Sequence, residues 1–454
     1  MAAALTTDQV LALAPDAASA KSGKSLSAPK AWLSLGQHEG AVWGECQGSG
    51  REPYRTQVDL SEPAFRCSCP SRKFPCKHGL GLLLVLAGQP AAVPQATPPP
   101  WVEEWLATRA KSAERREQRQ QKVADPADEG RRAASQAKAA VAREAKVAAG
   151  MQELGIWLRD QMREGLANAP SRAPAAFERI AARMVDAQAP GAARLLRDMG
   201  GTPASGEGWQ GRLLEQLARL HLLVEGHAHT QGSGIRGQGS GEAAALTHEE
   251  QADLRSALGF TMSQEELLRG AGQRDRWLII GRRVEDEERL KIQRTWLWGQ
   301  TCAAPALILA FSAAGQPLDY SLLPGASIDA DLAFFPSAAP LRALVQQRHG
   351  PADGLHHLPA FDIAAALGTY AAALARSPWL ERYPLCLGPV TLAQSNGGWH
   401  LCDEAGRTLP LVAQFSRAWE LVARSGGQPF ALCGEWDGER LTPLSAWIDG
   451  FVDL

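Results

Sequence analysis

Three cysteines and a histidine crowd into twelve residues of the string FRCSCPSRKFPCKHGL, as Cys67-x-Cys69, six residues, then Cys76-x-His78. Three thiolates and an imidazole are the soft and borderline donors that suit a tetrahedral zinc ion. In an extended strand residues i and i+2 point to the same side, so each pair can aim two donors at one point. The six-residue connection, with Pro70 and Pro75 at its ends, is long enough to fold the second pair back onto the first. Four protein ligands leave no open position for water or substrate. The spacing therefore predicts one structural Zn2+ held by Cys67, Cys69, Cys76 and His78, a metal that holds the fold and activates nothing. Its binding would also contribute folding free energy to a unit of about 60 residues, too small for a thick core. The alternative, buried free cysteines, requires four soft ligands to meet by coincidence.

The C-x-C pair, the spacer, the C-x-H pair and the small-then-apolar run GLGLLLVLAG resemble the SWIM-type zinc finger. That resemblance covers about residues 50 to 90. The later string IAARMVDAQAPGAARLL is also similar to bacterial SWIM zinc-finger proteins of this size, which extends the resemblance to the whole chain. It implies a ββα zinc unit and a role in binding DNA or protein. The helicase and transposase motifs that accompany the finger elsewhere are not in this sequence, so those activities do not carry over.

At 454 residues the chain is long enough for two to four domains, and 45% hydrophobic against 21% charged residues is an ordinary globular balance. The expected architecture is a multidomain α+β protein. Residues 1–90 hold short strands, AWLSLGQ, AVWGECQG and YRTQVDL, followed by the zinc finger and its apolar helix. Residues 91–150 hold a Pro-rich linker, QPAAVPQATPPP, and a charged helical arm; the linker is expected to decouple the finger from the later domains. Residues 151–270 show helical spacing, in MQELGIWLRDQM and WQGRLLEQLARLHLLVEG, with a capping-box pattern at Thr247 and Glu250. Residues 271–454 read as an α+β domain: DRWLIIGRRV and RLKIQRTWLWGQ as successive hairpin strands, PALILAFSA after them, helices at 359–376 and 414–425, and strands QPFALCGEW and ERLTPLSAWI at the end.

The first 149 residues carry a formal charge of +5 and the remainder −7. Around the ligands, Arg66, Arg72, Lys73 and Lys77 surround Phe74, an arrangement able to touch phosphates with a ring available to stack, or to meet a partner protein. Such cations equally offset thiolate charge. A pI near 6.6 lacks the strong basic footprint of a dedicated nucleic-acid binder, which puts a protein partner ahead of nucleic acid. The expected function is a zinc-binding interaction or adaptor protein, with a nucleic-acid-binding regulator as the competing reading.

No sequence feature calls for an enzyme or a small-molecule substrate. Gly232-x-Gly234-x-x-Gly237 imitates a dinucleotide fingerprint, but the preceding EGHAHTQ is no hydrophobic strand, so it reads as a loop. His221, His227 and His229 lack further metal-ligating neighbours apart from Glu225. Asp319, Asp329 and Asp331 have no spacing that ties them to a base or nucleophile. Cys46, Cys302, Cys386, Cys402 and Cys433 sit singly in apolar or strand-like settings, as small hydrophobes do. With no readable secretory signal, no membrane-length apolar run and sparse cysteines, the expectation is a cytoplasmic protein.

Overall fold

The computed structural model describes residues 7–14, 17–47, 52–60, 64–71, 75–121, 126–166, 169–231, 245–287, 290–313, 318, 321–395 and 398–454. The N-terminal unit starts with two short helices, α1 (Thr7–Ala12) and α2 (Ala17–Lys24). Next comes an antiparallel meander of β1 (Trp32–His38), β2 (Ala41–Cys46), β3 (Tyr54–Asp59) and β4 (Ala64–Cys67), and then α3 (Lys77–Gly88). The implied ββα is β3–β4–α3; β1 and β2 extend its sheet. Helix α3 is apolar nearly all round because it is enclosed: Leu80, Leu82, Leu83, Leu84 and Val85 pack with Val10, Leu13, Trp32, Val42 and Val58.

The Pro-rich segment is no free spacer. Gln37 donates its backbone N–H to the Pro94 carbonyl and accepts from the Ala96 N–H, so residues 94–96 run along the edge of β1. Val93 is buried in the core of the unit. Proline lacks an N–H, and such a chain is tolerated at a sheet edge because the edge strand bonds only on alternate residues. Helix α4 (Pro100–Gln121) then covers the second face of the sheet: Val102 meets Ala41 and Trp43, with Trp101 and Leu106 beside them, and Arg109 pairs with Asp59 at 3.2 Å. Cover on both faces explains why AVWGEC is almost continuously buried and apolar rather than alternating.

Helix α5 (Pro126–Glu164) runs unbroken past residue 150, and Val147, Met151, Leu154 and Leu158 on it belong to one core. That core is closed by α6 (Ala169–Asp186), α7 (Pro190–Gly200), α8 (Trp209–Thr230) and α9 (His248–Leu258). The capping box opens α9 as its sequence predicts: Thr247 Oγ1 accepts the Glu250 N–H while Glu250 accepts the Thr247 N–H. Gly191, at the start of α7, lies so close to the Ala257 carbonyl that a Cβ there would overlap it.

After α10 (Gln264–Leu268) come β5 (Gln273–Glu287), β6 (Leu290–Gly299), β7 (Pro305–Ala313), β8 (Ala326–Phe334), β9 (Arg342–Arg348) and β10 (Asp353–Gly354). β5 to β8 pair antiparallel in the order β8-β5-β6-β7, and β9 bonds to both β7 and β8, which closes the sheet into a ring around Trp277, Ile279, Leu297, Ile308 and Leu332. A second sheet, β13-β12-β11-β14-β15-β16, is built from β11 (Tyr383–Ser395), β12 (Gly398–Asp403), β13 (Thr408–Pro410), β14 (Phe430–Trp436), β15 (Leu441–Trp447) and β16 (Phe451–Asp453). The helices expected there are α11 (Ile363–Arg376) and α12 (Ala418–Ser425). The second sheet shares a core with the ring through Leu278, Ile280 and Trp296.

Two of the supposedly isolated cysteines are partners. Cys386 on β11 and Cys433 on β14 face each other in register and their sulfurs are bonded, both buried. Single-sequence reading misses this because the residues lie 47 positions apart and meet only through strand pairing. The tryptophans divide as well: Trp277 and Trp296 are fully buried, while Trp419 is 64% exposed and meets Trp399 edge-on.

Candidate metal centre

Each ligand is presented by a different piece of backbone. Cys67 ends β4, Cys69 lies in the bend beyond it, Cys76 is the N-cap of α3, and His78 sits in the first turn of that helix. The second pair is thus placed by a helix start and not by a strand, as Cys76 alone keeps extended backbone. Helix initiation at this point turns His78 inward onto the sheet and directs the amide ends of α3, which favour negative charge, toward the thiolates.

The four donor atoms lie within 4.8 Å of one another. Nδ1 is the imidazole atom facing the sulfurs, 3.7 Å from Cys67 Sγ and 4.0 Å from Cys76 Sγ. A tetrahedral zinc with ordinary bond lengths has donor–donor edges of roughly 3.6–3.8 Å, so the cluster has the size and donor chemistry of a zinc cage. Cys76 and His78 are buried, Cys67 and Cys69 half-buried. Without metal the sulfurs and the ring share few charges. Hydrogen bonds from Cys67 and Cys76 hold the Cys69 thiol far below its usual value, while Cys76 is pushed up by its sulfur neighbours Cys67 and Cys69. Burial works against a charged His78, but hydrogen bonds to Cys69 and Cys76 outweigh it and raise the ring to about 9. Zinc replaces these protons as the positive partner of the thiolates.

Two supporting residues were not legible as such. Thr56 on β3 lies opposite Cys67 and places its hydroxyl 3.1 Å from that sulfur, and the Tyr54 ring rests on the His78 ring with centroids 4.9 Å apart. Their signal in the sequence is only the period of two in YRTQVDL, which does not say what the face will meet.

Of the expected contact residues, Arg66 and Lys77 are exposed beside the ligands; Arg72, Lys73 and Phe74 lie outside the described residues, as do Gly232, Gly234, Gly237 and Asp319. The three histidines of α8 do not converge: His221 is exposed near Glu225, His227 is buried and His229 half-buried. The Cys3His group is the one metal-type cluster among the described residues. Asp329 is paired with Arg274 and Asp331 is hydrogen-bonded to His349 at 2.7 Å, which accounts for both as structural contacts.

A four-donor sulfur–nitrogen cage closed by a strand end and a helix start defines a structural zinc finger. Residues 54–87 match the SWIM zinc finger and residues 142–258 match the SWIM-associated four-helix bundle domain. The chain thus carries a region similar to the SWIM zinc finger and one similar to the SWIM-associated four-helix bundle domain, and its Cys3His cluster supports one structural Zn2+. The first match spans β3, β4 and α3, and the second runs from within α5 to the end of α9. No curated protein and no solved structure matches the chain.

Proposed function

We propose that the protein is a non-enzymatic interaction or adaptor protein whose zinc unit presents a surface to a partner protein in the cytoplasm. The observation that carries this reading is the donor set: four side chains gathered within 4.8 Å supply all the donors a structural zinc takes, which would leave the metal no position for substrate and make it shape the surface around it. The large body behind the finger, two β-sheets sharing one core, is a rigid base for such a surface. No described helix is long and apolar enough to cross a membrane, and three metal-binding thiols are best kept reduced in a cytoplasmic setting. The Cys386–Cys433 bond is enclosed in a core and does not by itself favour a reducing compartment.

One observation favours the competing nucleic-acid reading: Arg66 and Lys77 are both exposed and each adjoins a ligand in the chain. The finger's own helix, α3, is buried and not offered to a major groove, so binding through Arg66 and Lys77 would run through phosphates and be weakly sequence-selective. The test is binding of random-sequence DNA and RNA across a salt series, alongside isolation of stoichiometric protein complexes from the native host. The adaptor reading expects a protein complex that Arg66→Glu/Lys77→Glu disrupts with zinc retained, and little retention on nucleic acid. Steeply salt-dependent nucleic-acid binding, flattened by about two units of slope in Arg66→Ala/Lys77→Ala, would overturn it in favour of the second reading.

A further inference from the structure

We propose that Thr56 is a positioning residue of the zinc centre, whose hydroxyl donates to the Cys67 thiolate and sets how tightly the metal is retained. Thr56 is fully buried, faces Cys67 across the β3–β4 pair, and holds Oγ1 3.1 Å from Cys67 Sγ. A buried hydroxyl needs a partner. In the metal-free protein either atom could donate, but a zinc-bound sulfur carries no proton, so metal binding leaves only one polarity: the hydroxyl gives and the sulfur accepts.

The backbone presets this bond. A β-branched side chain in a strand has few χ1 choices, so the hydroxyl direction is held before the metal arrives. Two residues earlier on the same face, Tyr54 supports the His78 ring. Strand β3 therefore carries no ligand yet braces two, one by a hydrogen bond and one by ring contact. The need is electrostatic. Three thiolates exceed the charge of one Zn2+, and donors aimed at sulfur disperse the excess in a poorly solvated place. The Cys69 backbone N–H also serves Cys67, and that of Ser71 serves Cys69. Partners of this second layer orient metal ligands, and losing one typically weakens metal affinity about 10–100-fold.

This inference rests on the zinc site and not on any partner, and its test uses the purified full-length chain alone. Zinc affinity is measured by competition with a chromophoric chelator, and the sulfur-to-metal charge-transfer band is recorded after loading with Co2+. Thr56→Val keeps the shape and removes the hydroxyl; Thr56→Ser keeps the hydroxyl and removes the methyl. The expected result is affinity about tenfold or more weaker in Thr56→Val, with the Co2+ band moved to lower energy because the sulfur is a stronger donor, and both values close to wild type in Thr56→Ser. Wild-type affinity and band position in Thr56→Val would overturn the proposal. So would a Thr56→Ser protein as weak as Thr56→Val, since that would make packing, and not the hydroxyl, the requirement.

Discussion

Individual residues differ in whether their neighbours can substitute for them. Cys76 has no substitute: it is a donor and also the N-cap of α3, so its loss opens the cage where the helix begins. Cys76→Ser is expected to lose most of the bound zinc and the hydrogen-exchange protection of residues 64–88. Metal analysis checks the first and exchange mass spectrometry the second; full zinc occupancy in the variant would disprove the four-ligand assignment. Glu435 is a different case. It is wholly buried on β14, accepts from Trp296 Nε1 at 2.9 Å and faces Arg283 on the ring and Arg382 beside it. Removing its carboxylate strands the buried indole N–H and takes a counter-charge from the two guanidinium groups. Glu435→Leu should cost about 3 kcal/mol in denaturant unfolding, and Glu435→Gln, which keeps an acceptor for Trp296, about 1 kcal/mol. Equal losses in the two variants would mean that the charge, not the indole bond, dominates.

At the scale of elements, helix α8 carries a pH dependence. His227 is buried on it, and its ring is held below the usual histidine value, first by burial and then by the Arg255 charge, while Glu144 pulls the other way. Among the described residues its Nε2 finds no hydrogen-bond partner, which suits a neutral ring. The folded state binds this proton less readily than the unfolded chain, whose histidine titrates near 6.5. Stability from this group is therefore complete above about pH 6.5 and falls as pH drops below it toward the lowered folded value. Unfolding of wild type and His227→Leu at pH 7.5 and pH 5 isolates the effect: the difference in stability between the two pH values should shrink in the variant. A variant as acid-sensitive as wild type would assign the sensitivity elsewhere. Elements with an internal signal were legible from sequence alone. The α9 capping box and the β5–β6 hairpin each depend on residues a few positions apart. The small strand β9 was not, because it is held by pairing with β7 and β8 rather than by its own pattern.

For the whole molecule the question is how far zinc loss spreads. A free linker would confine it to the finger. The structure instead ties the finger down three times: residues 94–96 along β1, Val102 on the far face of the sheet, and Leu318 and Leu323 against its core. Leu323 also packs against the core of the β5–β9 ring, so one side chain bridges both cores. Chelation is expected to release exchange protection in residues 32–88, in the 93–106 strap and around 321–326, and to open protease sites between residues 90 and 150. The α5–α9 core and the second sheet, which among the described residues share no core residue with the finger, should keep theirs. Unchanged protection at 321–326 after complete zinc removal would show that the finger and the ring are independent. Reduction of the enclosed Cys386–Cys433 bond should act separately from zinc, costing roughly 4 kcal/mol by chain entropy for a loop of 47 residues, measured as the stability lost in Cys386→Ala/Cys433→Ala.

The sequence by itself determined the metal, its four ligands, the helical character of the middle region and the β character of much of the C-terminal part. Each of these is written in spacing or period among near neighbours, where local geometry alone relates the residues. Only tertiary structure decided that Thr56 backs Cys67, that Cys386 meets Cys433, that a proline-rich stretch becomes an edge strap, and that Glu435 sits between two sheets. Those outcomes depend on which distant strands lie side by side. A strand's own sequence says which face is apolar, but its register and neighbours are set by the summed burial of the whole core.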